Sequence, residues 1–225
     1  MPSLLVPLLP DWLDPVYIIQ SLGNWALWGV ALILFIECCI FPVLPGDSLL
    51  FTVGMFIAME PPSITFPGMD KWQVLIVSTL VLTVAAIAGN VGGYWVGRII
   101  GPPIFKPRDG WAGKVFDPKY VDKTHELLGK YGNQALVLAR FVPFVRTFVT
   151  IIAGIGKMNF RSFISWTALG GLLWAVGVTL LGFFLGNVPL IRDHIEAVLV
   201  MIVLVSIIPM VVEFLVQKKK AKAAE

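Results

Sequence analysis

The sequence predicts an all-α integral membrane protein that forms a single domain over residues 1–225. Apolar residues make up 57% of the chain and charged residues only 14%, whereas a soluble domain carries roughly 25% charge. The charges are also spaced to leave long uncharged stretches, near the ~20 residues that a helix needs to cross a bilayer. This composition excludes a soluble globular enzyme and a nucleic-acid binder, and a net charge of +3 is too small to indicate a polyanionic partner.

Three stretches predict ordinary membrane-spanning helices, at about residues 74–97, 162–186 and 196–216. Two other apolar stretches, 24–58 and 135–157, are interrupted by prolines and by charges at mid-segment. Irregular backbone and charge at that depth are tolerated only where protein or a water-filled cavity covers them. The interruptions therefore predict hairpins, whose tips contain Pro42, Pro45, Gly46, Ser48, Pro143 and Phe144.

The lysines and arginines predict the orientation, because cytoplasmic loops are enriched in both. They are frequent in residues 98–134 and in the tail, 217–225, and none precedes Lys71. Each broken segment then begins and ends on one side, which predicts two re-entrant hairpins that enter from opposite faces. A hairpin-plus-helix unit used twice in inverted topology is typical of secondary transporters. The alternative, in which 24–58 forms one long span or two full spans, stays open.

The cytoplasmic linker, about residues 102–134, contains a helix start at Asp117-Pro118 followed by a partial apolar stripe. Either an amphipathic helix on the inner leaflet or a solvated connector helix fits this pattern. Before Lys71 the chain has no basic residue of the kind that opens a signal peptide.

Small and sulfur-containing residues are expected to serve packing rather than chemistry. Cys38 and Cys39 are adjacent, so they are expected to be buried apolar residues and not a disulfide. Gly93 and Gly97 are spaced for close helix contact. The two histidines stand in separate polar segments with no Cys or His cluster around them, so neither a metal nor another cofactor is expected.

Four charged residues of the broken segments are the candidate functional residues: Glu37, Asp47, Arg140 and Arg146. Ionisable residues inside a membrane are functional candidates by default. They could instead be internal ion pairs that close the helix bundle. Function is preferred, because buried ion pairs stabilise a protein poorly when compared with apolar packing.

The candidate residues indicate an anionic ligand that carries a phosphate. The run from Pro45 to Ser48 favours a turn into a half-helix with Asp47 or Ser48 as N-cap, and a helix N-terminus favours an anion. Arginine presents a planar fork of donors that matches phosphate, so Arg140 and Arg146 are expected to bind the headgroup. Because burial favours the neutral form of a carboxyl group, proton coupling through Asp47 or Glu37 is a further hypothesis.

Three motifs resemble those of the DedA family, over about residues 25–190. The first motif is Glu37 followed by the run Phe41–Leu50, and the second is the glycine-rich run Gly89–Arg98. The third motif is the most specific and contains Lys130-Tyr131-Gly132, the run Arg140–Thr147, Ala153-Gly154, Met158 and Phe160.

The resemblance implies a bacterial inner-membrane protein with paired re-entrant hairpins and a cytoplasmic C-terminus. Family members are implicated in returning undecaprenyl phosphate to the inner leaflet, in phospholipid redistribution and in drug or alkaline tolerance. The acids that match Glu37 and Asp47, and the arginines that match Arg140 and Arg146, are regarded as essential in the family. Phe144 departs from the family pattern, because that position is usually glycine.

The expected function is therefore translocation of a lipid phosphate, with undecaprenyl phosphate as the leading substrate. The alternatives are a phospholipid (phosphatidylethanolamine) scramblase or flippase and a proton-coupled transporter of a small solute or drug. An enzyme is not expected, because the sequence has no motif for phosphoryl chemistry, and a purely structural protein is a last alternative. The lipid, the coupling, the direction of transport and the oligomeric state, including a homodimer, are left open.

Overall fold

The computed structural model describes residues 15–41, 44–59, 64–100, 132–141, 145–186 and 188. Every regular element in these ranges is helical. The α-helices are α1 (Pro15–Leu22), α2 (Ala26–Cys39), α3 (Gly46–Ala58), α4 (Lys71–Ile100), α5 (Ala135–Leu138), α6 (Val145–Ile155) and α7 (Phe160–Gly186). Short 3-10 turns lie at Gly23–Trp25, Gly132–Gln134 and Ala139–Phe141.

Three stretches of the described chain are long and apolar enough to cross a membrane: Pro15–Cys39, Lys71–Ile100 and Phe160–Gly186. The last two correspond to the helices predicted at 74–97 and 162–186. The predicted helix at 196–216, the linker and the basic tail lie outside the described residues. The all-helical membrane fold is thus confirmed, while the depth of each helix in the bilayer stays a prediction.

The first broken segment has a longer first arm than the sequence predicts. The turn at Gly23–Trp25 joins α1 to α2, so this arm begins at Pro15 and covers 25 residues. The second arm, α3, has 13 residues and spans about 20 Å, which is shorter than the ~30 Å hydrocarbon core. The segment therefore has one long helical arm and one short one, and its re-entry into the bilayer stays a prediction.

The second broken segment has the same helix–break–helix form. Its first arm is α5 with the 3-10 turn that follows, and its second arm, α6, has 11 residues. The segment ends where Lys157 adopts a left-handed φ of 52°. Asn159 then caps α7, because its side-chain oxygen accepts hydrogen bonds from the backbone N–H groups of Arg161 (3.0 Å) and Ser162 (3.3 Å).

The short helices pack on long helices in a crossed arrangement. A Cβ added to Gly54 of α3 would overlap the backbone carbonyl oxygen of Thr179 in α7. Likewise, a Cβ added to Gly182 of α7 would overlap the backbone carbonyl oxygen of Phe51 in α3. The contact between α6 and α4 is built in the same way. Gly154 of α6 faces the backbone of Tyr94 in α4, and Gly97 of α4 faces the backbone of Ile151 in α6. The predicted packing face on α4 is confirmed, and each short helix rests on the long helix of the other half.

Aromatic residues and a basic residue gather at both ends of the long helices. At the start of α4, the Trp72 and Phe183 rings lie 5.1 Å apart and the Lys71 amine lies 5.5 Å from the Phe183 ring. At its other end, the Arg98 guanidinium lies 5.7 Å from the Tyr94 ring. Such belts mark membrane–water interfaces. The faces between them expose large apolar side chains to the surroundings: Trp28, Leu32, Ile76, Leu80, Val84, Leu172, Leu181 and Phe184.

Candidate functional site

Arg146 joins the two hairpins through a pair of ion pairs. It lies in the first turn of α6, and its Nη1 donates to Asp47 Oδ1 at the start of α3 at 2.8 Å. Its Nη2 donates to Glu37 Oε1 near the end of α2. Glu37 is fully buried and Arg146 is 4% exposed. One guanidinium therefore pairs with two carboxylates that come from both arms of the first broken segment, and the three side chains together carry one net negative charge.

Trp174 of α7 completes this cluster. Its indole Nε1–H donates to Asp47 Oδ1 at 2.7 Å, and the Arg146 guanidinium carbon lies 4.8 Å from the centre of its ring. The ring attracts the cation through its electron-rich face. Trp174 therefore contacts both charges and holds them against the long helix of the second half.

The second oxygen of Glu37 lies at the N-terminus of α3. A Cβ on Gly46 would overlap Glu37 Oε2, so glycine is the residue that this approach requires. The Thr147 hydroxyl donates to the Glu37 backbone carbonyl at 3.1 Å and ties α6 to α2. The positive end of the α3 dipole, expected to receive a ligand anion, is thus occupied here by the Glu37 carboxylate.

Arg140 lies apart from this cluster and has no acidic partner among the described residues. Its Nη2 donates to the Thr167 hydroxyl of α7 at 3.0 Å, and Cys38 lies beside its guanidinium. The side chain is 1% exposed, yet its Nε and Nη1 find no hydrogen-bond partner within the described ranges. Buried donors of this kind normally have partners, so Arg140 presents unused capacity for an anion.

The structure brings together three of the four predicted charges and places the fourth one in a separate contact. Pro45 precedes α3 and Gly46 begins it, as the turn predicts. The prediction of Asp47 or Ser48 as N-cap is wrong, because Pro45 is the N-cap residue of α3 and the Asp47 carboxylate binds Arg146 and Trp174 instead. The remaining predicted tip residues lie outside the described residues: Pro42, Pro143 and Phe144.

Sequence reasoning did not identify Trp174, Thr167 or Thr147 as site residues. All three are buried polar side chains: Trp174 and Thr147 donate a hydrogen bond, and Thr167 accepts one from Arg140. Polar side chains inside a membrane helix normally face the interior of the bundle. That signal is present in the sequence but does not say which partner each polar group contacts.

Comparison with known proteins agrees with this architecture. The family model of the VTT domain matches residues 44–184. The protein DedA of Escherichia coli K12 is 34% identical over 214 residues, which covers 93% of this chain and 92% of DedA. The chain belongs to the DedA family. An uncharacterised membrane protein of Mycobacterium tuberculosis is 38% identical over 93% of this chain and 89% of its own length.

A second DedA-family relative is named as an inner membrane protein. This is YqjA of Escherichia coli K12, which is 32% identical over 85% of this chain and 84% of its own length. No solved structure matches this DedA-family chain. Its membership and its three long apolar helices establish it as a membrane protein.

In this DedA-family site, we expect Trp174→Phe to lower the free energy of unfolding by about 1–2 kcal/mol, because Asp47 loses a donor while a ring remains. Thermal unfolding of the purified protein in detergent measures this change as a drop in Tm. Trp28→Phe is the matched control, since Trp28 is largely exposed on α2. Equal Tm values for Trp174→Phe and Trp28→Phe would mean that the indole bond contributes nothing.

Proposed function

We propose that this DedA-family protein translocates a lipid phosphate across the bacterial cytoplasmic membrane, with undecaprenyl phosphate as the leading substrate. The observation that carries the proposal is the different state of the two buried arginines. Arg146 is paired with two carboxylates, while Arg140 keeps two donors that have no partner in the part of the chain that the structure describes. Arginine forks bind phosphate in a bidentate manner, so the protein holds one receptive anion site and one site filled by its own acids.

Competition between anions gives the proposed mechanism. A phosphate that enters at Arg140 would next compete with Glu37 and Asp47 for Arg146. The charges of Glu37, Asp47, Arg140 and Arg146 sum to zero in the state described here, so a bound phosphate adds negative charge to a poorly solvated site. Protonation of Glu37 or Asp47 would restore neutrality, and burial favours the uncharged form at Glu37, which is fully buried. This mechanism links headgroup binding to a proton and requires no cofactor.

The lipid tail would remain in the bilayer while the headgroup passes between the hairpins. The outward faces of the long helices expose large apolar side chains that suit contact with lipid tails. On the positive-inside expectation, the protein is a multi-pass inner-membrane protein with a cytoplasmic C-terminus. Phosphatidylethanolamine shares the phosphate chemistry and is the alternative substrate. The alternative function is proton-coupled transport of a small solute.

We expect Arg140→Ala to lower lipid transfer by about tenfold to a hundredfold, the rate loss that corresponds to one charge-assisted hydrogen bond. Purified protein in liposomes with undecaprenyl phosphate is followed by headgroup accessibility on each face over time. Parallel liposomes contain phosphatidylethanolamine. The Arg140→Ala variant should remain folded, because removing the Arg140 side chain leaves no carboxylate of the described residues without an ion-pair partner.

The controls are empty liposomes and Arg161→Ala, which removes an exposed arginine from the start of α7. Transfer of undecaprenyl phosphate no faster than in empty liposomes would overturn the substrate assignment. Transfer of phosphatidylethanolamine alone would favour the alternative substrate. Equal rates for the wild type and for Arg140→Ala would remove Arg140 from the headgroup site.

A further inference from the structure

In the part of the chain that the structure describes, four buried hydroxyl groups on α4 and α7 have no hydrogen-bond partner. A hydroxyl in a helix can bond to the carbonyl four residues earlier, as Thr52 does to Ser48 at 2.7 Å. The four hydroxyls make no such bond, and their side chains are at most 9% exposed. They belong to Ser78, Thr79, Thr83 and Thr179, which we call the hydroxyl row.

Two contacts align the helices that carry the hydroxyl row. The Trp72 and Phe183 rings meet near the Lys71 end of α4. Further along, a Cβ on Gly171 would lie 3.2 Å from the Ile87 side chain. The two helices are thus antiparallel. Thr79 is eight residues from Ile87, and Thr179 is eight residues from Gly171. At 1.5 Å per residue, both threonines lie about 12 Å from the contact between Gly171 and Ile87, toward the Lys71 end of α4, and so at the same height along the two helices.

The hydroxyl row also reaches the level of the charge cluster. Counted in the same way, Thr83 lies about 6 Å and Trp174 about 4.5 Å from the Gly171 contact. Trp174 donates to Asp47 at 2.7 Å. The row therefore begins beside the residue that holds Asp47 and continues toward the end of α4 that carries Asp70 and Lys71.

Unpartnered buried hydroxyls need an explanation, because a buried polar group without a hydrogen bond costs about 1–3 kcal/mol. Bound water commonly satisfies such groups when two or more of them face one space. Thr79 and Thr83 lie one turn apart on the same side of α4, Thr179 lies at the height of Thr79 on α7, and each hydroxyl can both donate and accept. Water molecules between α4 and α7 would satisfy these groups.

We propose that the hydroxyl row binds a chain of water and conducts protons between the Lys71 end of the protein and Asp47. Each hydroxyl accepts a proton from one side and releases its own to the other, so one proton moves through the row; the hydroxyls and waters then turn back before the next transfer. At the inner end the proton meets Asp47, with Arg146 and Glu37 behind it; at the outer end the charges are Asp70 and Lys71. This proposal depends on the proposed function only in what the protein does with the proton once it reaches Asp47.

The test measures proton uptake and lipid transfer separately in the same vesicles. Liposomes that contain the full-length protein, undecaprenyl phosphate and a trapped pH-sensitive dye receive a potassium diffusion potential. The Thr79→Val/Thr83→Val variant keeps the shape of both side chains and removes their hydroxyls. We expect its proton uptake to fall by about tenfold, the change for roughly one lost hydrogen bond along the path. Lipid transfer without a gradient should be unchanged.

Two comparisons separate conduction from packing. Thr79→Ser/Thr83→Ser restores the hydroxyls and should restore proton uptake. Thr52→Val removes a buried hydroxyl that already bonds to the backbone, so uptake should stay at the wild-type level. Should the double valine variant not fold, Thr179→Val carries the same expectation.

The proposal is overturned if the valine variant takes up protons at the wild-type rate. It is also overturned if the wild type takes up protons no faster than empty liposomes. Proton uptake that depends on the hydroxyls, with no transfer of either lipid, would support the row and count against the proposed function.

Discussion

Arg146→Ala should abolish lipid transfer and lower the free energy of unfolding by about 3–5 kcal/mol, the cost of leaving a buried charge without its partner. The variant would leave Glu37 unpaired in a fully buried position and Asp47 with only the Trp174 indole as donor. Thermal unfolding in detergent and the yield of folded protein measure the loss of stability. The liposome assay measures transfer.

A variant without any of the three charges separates stability from function. Glu37→Gln/Asp47→Asn/Arg146→Gln keeps polar groups in place and removes the two carboxylates that Arg146→Ala would leave without their cation. Its Tm should recover toward the wild-type value, while its lipid transfer should stay lost. Arg161→Ala is again the matched control. A triple variant that transfers lipid at the wild-type rate would mean that the charges only close the bundle, and an unchanged Tm for Arg146→Ala would contradict the cluster itself.

Gly182→Ala should destabilise the protein by about 1–3 kcal/mol, because the added methyl group meets the backbone of α3 and not a side chain that can move. Gly177→Ala tests the same helix at an exposed position, where a Cβ has nothing within 4 Å. Alanine is the better helix former by up to about 1 kcal/mol. The two substitutions should therefore shift Tm in opposite directions.

Thermal unfolding of both variants beside the wild type gives the comparison. The Gly182→Ala protein should also lose lipid transfer, because α3 carries Asp47 and its displacement separates Asp47 from Arg146. Equal Tm values for the two glycine variants would show that α3 and α7 do not approach as closely as described. Transfer that survives a large drop in Tm would show that the site tolerates a shift of α3.

The sequence was sufficient to locate the breaks and the charges. Proline and charge within apolar stretches violate the ordinary rules for a membrane helix, so hairpins and candidate residues could both be predicted from them. The partners could not be predicted, because charge complementarity treats Arg140 and Arg146 alike. Only the packing of α6 and α7 decides that Arg146 meets two acids and that Arg140 meets Thr167.

Two local predictions failed for physical reasons that lie in the tertiary structure. A capping role for Asp47 was reasonable from its place in the sequence, but a cation and an indole compete for the same carboxylate. The first arm was expected to begin near residue 24, but the glycine turn continues the helical path back to Pro15, where the described residues begin. Neither outcome follows from local propensity alone.

The crossed glycine contacts also bear on how the protein is assembled after synthesis. A helix of 13 residues is too short to settle stably across a bilayer by itself, and the long helix on which α3 rests is made only after most of the chain has been synthesised. Until then, α3 has no final partner for the backbone surface around Gly54. The first half of the protein is consequently expected to be inserted early but completed late, so biogenesis of the site depends on both halves being present in one membrane.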